Sequence, residues 1–360
     1  FELDADQTDA ILELKIYRLA RLEILIIRNE LDQKRTRARQ IGALLKNEES
    51  RWTLVRGELD EIQKTHGDPK LDKRRTRIES DTGEPEYSAD DFIVDEDNVV
   101  IVSGDGWIKR QKEVKDVGTT RLREGDSVLA VLAGSSRATC VFLSNFGAAY
   151  TSRFIDVPAS TGYGEPIQRL FKLKDGEKVV AAVSLDPRAI GDIRPSAKRP
   201  DDPPPVHAVA VTSDGYSLRF SLDPFVEPST RAGRRYARPA EGAEVVGVAR
   251  VTGDEIIIAA TAEARGLLCK VEEINFLSGP GKGVILIKLS GQDRVLGFIA
   301  STGDRDLLTV ETTRGAEQTI STTKYEVTGR GGKGRELLQR GQFTRVLKPA
   351  PDPPPPLDGA

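Results

Sequence analysis

The sequence predicts an α+β multidomain chain in which long N-terminal helices precede a propeller-like all-β domain of five blades, or six. Two observations predict it. Apolar residues fall at three-and-four spacing between residues 5 and 62, the stripe of an amphipathic helix. From Val99 onward one strand-turn-strand pattern returns about every forty to fifty residues, as in a propeller-like array. The expected boundaries are 1–80 for the helices, 81–97 for an acidic linker, 98–348 for the β domain and 349–360 for a proline-rich disordered tail.

Asp4 followed by Gln7 reads as a helix N-cap with a reciprocal partner. Ile11, Leu12, Ile16, Leu19, Leu22 and Ile26 form the stripe, with Arg18, Arg21, Arg28, Lys34, Arg35, Arg37 and Arg39 mostly on other faces. Gly42 and the polar run 46–50 mark a break. Trp52, Val55, Leu59 and Ile62 resume the stripe, and Gly67 and Pro69 stop it. One helix over residues 5–45 would be roughly 60 Å long. Such a helix meets another lying along it, from a missing segment or another subunit. The chain has no methionine, even at position 1, so a fragment is expected.

Between Asp81 and Asp97 eight acidic residues occur without a Lys or Arg. The ordinary reading is a solvated spacer, and the sharper one an acidic segment that competes with nucleic acid for basic blades. The first blade runs from Val99-Val100-Ile101-Val102 through the turn Asp105-Gly106 to Trp107-Ile108-Lys109-Arg110 and closes with Val128–Leu132. Phe146-Gly147, Asp214-Gly215, Arg265-Gly266 and Arg314-Gly315 mark the turns of four further rounds. Residues 186–202, followed by Pro203-Pro204-Pro205, form a surface insertion.

Composition is that of an ordinary chain with a buried core, 38% hydrophobic and 30% charged, with formal net charge −3. Cys140 and Cys269 lie in apolar strand runs, so both are expected as core residues in a reducing compartment, without a disulfide. No run is long enough for a membrane span and no signal peptide is evident, so the expected location is cytoplasmic. His66 and His207 are far apart and give no metal spacing, and no tyrosine has a nucleophilic setting, so no bond chemistry and no cofactor are expected in this chain.

Each blade also carries a loop rich in glycine and cations between its turn and its closing strand. These loops are 119–125, 161–164, 229–235, 279–283 and 329–335. Glycine lets a backbone approach closely, and Arg and Lys supply charge and donors for phosphate oxygens. Five such loops on one rim would make a cationic track for duplex DNA, read through its backbone rather than its bases. The candidate contacts are Lys109, Arg110, Arg121, Arg123, Arg231, Arg234, Arg235, Lys282, Arg330, Lys333 and Arg335. The competing reading is a propeller scaffold for protein partners, because glycine-rich turns are common in blades and the net charge is slightly negative. Gly331-Gly332-Lys333-Gly334 lacks the spacing of a nucleotide-binding P-loop.

Residues 7–14, Tyr17-Arg18-Leu19, Leu22-Glu23, Glu58–Ile62, Gly67-Asp68 and Arg74–Ile78 resemble the distal coiled-coil region of the A subunit of bacterial type IIA DNA topoisomerases. Residues 96–110 resemble that family's first C-terminal blade, and Ser229–Arg235 one of its inner repeats. The resemblance implies a β-pinwheel, whose blades exchange strands, with DNA bound and bent along its outer rim. It implies that the helices belong to a dimer-forming exit gate, so that the full-length protein forms a homodimer. It also implies an ATPase partner subunit that supplies ATP hydrolysis and Mg²⁺ binding, and a cleavage domain lying before Phe1. In place of the Gln-Arg-Arg-Gly-Gly-Lys-Gly usual in the gyrase first blade, this chain has Thr120–Gly125; its closest echo is Gly329–Gly334. Decatenation and relaxation are therefore expected over negative supercoiling.

Overall fold

Stretches of helix-forming residues and runs of short apolar strands segregate along the chain. The computed structural model describes residues 3–13, 21–67, 93–196, 202–303 and 305–357. Contacts divide the chain into two units, residues 1–86 and 87–360.

In the first unit, α1 (Ala5–Leu12), α2 (Arg21–Lys46) and α3 (Glu48–His66) follow one another. The Asp4 carboxylate accepts the Gln7 N–H at 2.8 Å, capping α1. The break expected at 46–50 falls at Asn47, whose Oδ1 accepts the Glu49 and Ser50 N–H groups at 3.0 and 3.3 Å and so starts α3. Gly67 closes α3 by donating to the Gln63 carbonyl at 2.7 Å. Trp52, Val55, Leu59 and Ile62 are 41–65% exposed. Ile16 and Leu19, the resemblance at Arg74–Ile78 and most of the acidic linker lie outside the described residues.

The second unit repeats one plan. First come β1 (Asp97–Ser103), β2 (Trp107–Gln111) and β3 (Val128–Ser135), then β4 (Thr139–Ser144), β5 (Ala148–Arg153), β6 (Glu165–Pro166) and β7 (Val179–Ser184). After a short helix, α4 (Pro187–Ile190), follow β8 (His207–Thr212), β9 (Tyr216–Phe220), β10 (Arg234–Arg235) and β11 (Val245–Val251). The next round is β12 (Ile256–Thr261), β13 (Arg265–Lys270), β14 (Phe276–Leu277), β15 (Val284–Ile285) and β16 (Val295–Ser301). The last is β17 (Leu308–Thr312), β18 (Glu317–Ile320), β19 (Arg335–Glu336) and β20 (Phe343–Leu347). One backbone bond recurs in every round. Gly104 donates to Ser127, Asn145 to Lys178, Ser213 to Glu244, Ala262 to Arg294 and Thr313 to Gln342, at 2.7 to 2.9 Å.

The short strands do not join the sheet of their own round. β6 pairs with β2, β10 with β5, β15 with β9 and β19 with β13, so each of the first four sheets receives a strand from the next round. The carbonyls of Gly106, Gly147, Gly215 and Ala264 accept the N–H groups of Ile167, Tyr236, Leu286 and Leu337 at 2.8 to 2.9 Å. The four exchanges are thus the same contact made four times. Among the described residues the fifth sheet, β18-β17-β20, receives no such strand.

Both faces of the second, third and fourth sheets are covered because each lies between two others, which is why β4 reads as an unbroken buried run rather than an alternating one. Four apolar clusters fill the spaces between successive sheets. Phe142, Tyr150 and Phe154 belong to the first of these, and Tyr236 fills the second while its hydroxyl donates to the Ser144 carbonyl at 2.7 Å. Cys140 and Cys269 are buried, free thiols.

Two expectations are corrected. The turn of the fourth round is not Arg265-Gly266 but ends at Ala264, whose φ of 56° supplies the left-handed residue that glycine supplies elsewhere. Gly266 lies within β13, where a β-carbon would stand 2.7 Å from Leu337 Cδ1, so its small size serves the exchange rather than a turn. The insertion after Asp186 is not simply a surface loop, because Ile190 and Ile193 are buried in the core between the second and third sheets. The end of the acidic stretch is tied to the first sheet. Asp97 opens β1 and pairs with Arg188 at 2.8 Å, and Arg137 Nε donates to the Ile93 carbonyl at 2.9 Å.

Candidate nucleic-acid interface

Exchange requires each round to send a loop across to its predecessor, and the glycine and cation loops of the second to fifth rounds are these loops. Gly164, Gly233, Gly283 and Gly334 all have positive φ. A β-carbon on Gly164 would lie 2.4 Å from the Ile108 carbonyl oxygen, and one on Gly283 would lie 2.1 Å from that of Ser217. Glycine here allows backbone to cross backbone, which is a packing demand independent of any ligand.

Successive exchange segments are also joined to one another. Lys172 N–H donates to the Arg231 carbonyl at 2.7 Å, Arg238 N–H to that of Gly281 at 2.9 Å and Lys288 N–H to that of Gly332 at 2.8 Å. Ala237 and Gly281, and Ile287 and Gly332, form parallel bridges at the last two seams. The first seam is made differently. Lys109 is 2% exposed, and its ammonium donates to the carbonyls of Arg121 and Gly162, both at 2.8 Å. Burial, and then the nearby Arg121, lower its pKa.

That placement removes Lys109 from the predicted phosphate contacts: a buried ammonium already donating to two carbonyls is not offered to a ligand. Arg110 is engaged without being fully buried. It is half-buried, donating from Nε to the Val157 carbonyl at 3.2 Å and from Nη1 to Asn98 Oδ1 at 2.9 Å.

The remaining nine predicted cations are exposed. Arg121 lies at the first seam, and the Arg123 guanidinium stacks 3.8 Å from the centre of the Trp107 ring. Arg231 donates to the Arg169 carbonyl at 3.3 Å and Arg234 to that of Pro224 at 2.7 Å, while Arg235 stands beside it in β10. Lys282 sits 3.8 Å over the Tyr216 ring and 3.6 Å from Asp214 Oδ2. Arg330 donates to the Glu273 carbonyl at 2.6 Å, Arg335 lies 5.7 Å from the Tyr325 ring centre, and Lys333 is at the last seam.

Sequence reading missed Lys172, Arg238 and Lys288, all exposed and each the backbone donor at a seam. A signal existed for two of them, since a cation stands five residues after Gly233 and Gly283, at Arg238 and Lys288, whereas that position after Gly164 holds Arg169 and not Lys172. It could not be read before those glycines were known to be equivalent.

Such a surface can hold anionic oxygens through charge and N–H donors. Among the described residues no cluster of His, Cys, Asp and Glu could hold a metal ion. Tyr150 and Tyr236 are buried with their hydroxyl pKa raised, in both chiefly by burial, and burial raises Cys269 to about 12. No described helix is long and apolar enough to cross a membrane.

The family described as DNA gyrase C-terminal domain, beta-propeller, matches residues 140–186, 207–252 and 255–302, the second to fourth rounds. The gyrase A protein of Haloquadratum walsbyi is 27% identical over 93% of this chain and 38% of its own length. The topoisomerase 4 A protein of Salmonella typhimurium is 31% identical over 50% of this chain and 23% of its own length. The chain therefore spans well under half the length of these relatives. The C-terminal domain of DNA topoisomerase IV shares the fold, with a TM-score of 0.61 at 17% identity over 71% of this chain and 78% of that one.

Proposed function

Since this chain belongs with the C-terminal part of the A subunits of bacterial type IIA DNA topoisomerases, we propose that its β-pinwheel holds duplex DNA along the rim formed by the exchange segments and bends it toward the rest of a longer protein. Each of the five sheets is one blade. The observation that carries this reading is the series of seams. Exposed cations stand on loops that are bonded to one another around the second to fifth rounds, which makes a continuous path rather than scattered charge. The overall charge of −3 does not oppose it, because phosphates respond to the local field.

In the full enzyme the helices of the first unit would lie at the dimerising exit gate. An ATPase partner subunit would provide ATP hydrolysis and Mg²⁺, and the assembly would work on DNA in the cytoplasm by double-strand passage. Decatenation and relaxation are favoured over negative supercoiling because the first-blade segment Thr120–Gly125 holds only two cations beside Glu124, and Arg123 is stacked on Trp107.

The test is binding of a fluorescent duplex of about 40 base pairs across a salt series, beside an unrelated duplex of equal length. Equal affinity for both, falling steeply with salt, is the expected result. No binding at low salt would replace this reading with a protein-binding scaffold.

A further inference from the structure

The seams define a more specific site than the rim as a whole. At each of three seams a backbone hydrogen bond draws together two blades, and a cation from each blade stands at that bond. Lys172 meets Arg231, Arg238 meets Lys282 beside Gly281, and Lys288 meets Lys333 beside Gly332. The second members recur at intervals of 51 residues, at 231, 282 and 333. All six are exposed. Among the described residues the side chains of Lys172, Arg238, Lys288 and Lys333 make no hydrogen bond or ion pair. Arg231 donates to the Arg169 carbonyl and Lys282 lies 3.6 Å from Asp214, and some other exposed cations are engaged as well. Arg169 pairs with Glu165, Arg330 donates to Glu273 and Arg345 pairs with Glu311.

The geometry points to three phosphate sites, one per seam, in which a cation from each of two successive blades binds the DNA backbone; the last two share one register, and the first is offset by a residue because Arg231 is itself the carbonyl acceptor. This rests on the proposal that the rim binds DNA. Cations held close together repel each other, and an anion placed between them removes that repulsion. Arg231 and Lys282 already have partners in the Arg169 carbonyl and Asp214, so the Lys288 and Lys333 pair is the one in which both side chains lack a partner among the described residues. The backbone bonds fix where the pairs stand without using the side chains, so a phosphate finds both donors in place. Because each pair spans two blades, the spacing of the sites is set by the exchange itself. The first seam is of another kind, because its link is the buried ammonium of Lys109 rather than a backbone bond.

Three double variants test this in the 360-residue chain: K172A with R231A, R238A with K282A, and K288A with K333A. Lys178→Ala with Arg294→Ala is the control, since both are exposed and precede the closing strands β7 and β16 away from the seams. Each phosphate contact contributes about 0.9 to the slope of log K against log salt. With one phosphate held per seam, every seam pair is therefore expected to lower that slope by about 1, and the control pair to leave it unchanged. The single variants K172A, R238A and K288A each leave one cation on the phosphate and should lower the slope by less than the matching pair. Charge-preserving Lys172→Arg and Lys288→Arg should keep the full slope, which separates loss of charge from loss of fold. A steep slope in the parent protein with unchanged slopes in the seam variants, or an equal fall in the control, would overturn the seam assignment while leaving DNA binding standing. A parent protein that does not bind at low salt would overturn both.

Discussion

Gly283 crosses Ser217 so closely that a β-carbon would lie 2.1 Å from the Ser217 carbonyl oxygen. Beside it, β15 pairs Val284 with Ser217 and Ile285 with Tyr216. The exchange between the fourth and third blades thus depends on the absence of one side chain at the point where two backbones cross.

Gly283→Ala should therefore destabilise the β domain by about 3 kcal/mol, the combined effect of a left-handed backbone, with φ of 84°, and a clash that backbone must move to relieve. Gly242 separates the two causes. Its φ of 76° is similar, but nothing lies within 4 Å of a β-carbon there, so Gly242→Ala should cost only about 1 kcal/mol. Urea unfolding followed by tryptophan emission and by circular dichroism measures both. Equal losses would mean that the crossing is looser than this contact implies.

Lys109→Met keeps the aliphatic stem and removes the ammonium that joins the Arg121 and Gly162 carbonyls. Two partly buried carbonyls lose their donor, for a cost of about 1 to 3 kcal/mol. The slope of DNA affinity against salt should not change, because this charge is not offered to phosphate. A slope reduced by about 1 would return Lys109 to the DNA contacts.

Asp186 caps α4 and accepts hydrogen bonds from Ser135 N–H at 2.8 Å and from Arg188 Nη2 at 2.9 Å. Burial alone would raise its pKa, but the hydrogen bonds from Arg188 and Ser135 outweigh burial and hold it below the ordinary carboxylate value. A depressed carboxylate pKa stabilises the fold above the unfolded value, near about 3.9, and that contribution is lost as pH falls through the folded value. Asp186→Asn should lower the melting temperature at pH 7 and flatten its dependence on pH below about 4. A variant melting with the same acid dependence as the parent would show that other carboxylates set it.

The repeat was legible in the sequence because its signals are local. Apolar runs such as Cys140–Leu143 and the turn glycines Gly106, Gly147 and Gly215 mark strands without knowledge of what they pack against. The exchanged strands were not legible as strands. β6, β10, β15 and β19 are two residues each, and their pairing partners lie in the preceding round. The same loops were read for their cations, which is why Arg231, Lys282 and Lys333 were found while Lys172, Arg238 and Lys288 were not. Lys109 and Arg110 look like any strand-end cations in sequence, and only the returning segment from the next blade buries one and occupies the other.

His207 faces Arg219 in the third blade as Asn98 faces Arg110 in the first, and its protonation should therefore weaken a seam. It is 1% exposed, with Nδ1 3.0 Å from the Pro204 carbonyl and Nε2 3.4 Å from Arg219 Nη1. A neutral ring protonated on Nδ1 satisfies both contacts, donating to Pro204 and accepting from Arg219. Arg219 in turn donates to the Ile274 carbonyl at 2.6 Å and that of Glu272 at 3.3 Å, on the segment leading to the exchanged strands of the fourth blade. Burial holds His207 below the ordinary imidazole value; the Pro204 contact opposes this, Arg219 adds to it, and buried Glu255 opposes it more weakly. A base whose folded pKa is depressed favours the fold when neutral, so stability is retained above the unfolded value, near about 6.5, and falls as pH drops below it toward the folded value. The β domain should melt at a lower temperature at pH 5.5 than at pH 7.5, roughly the window set by an imidazole near 6.5. His207→Gln keeps a donor and an acceptor without the titration, so it should remove most of that difference. An unchanged difference in the variant would mean that protonation of His207 does not weaken the third seam.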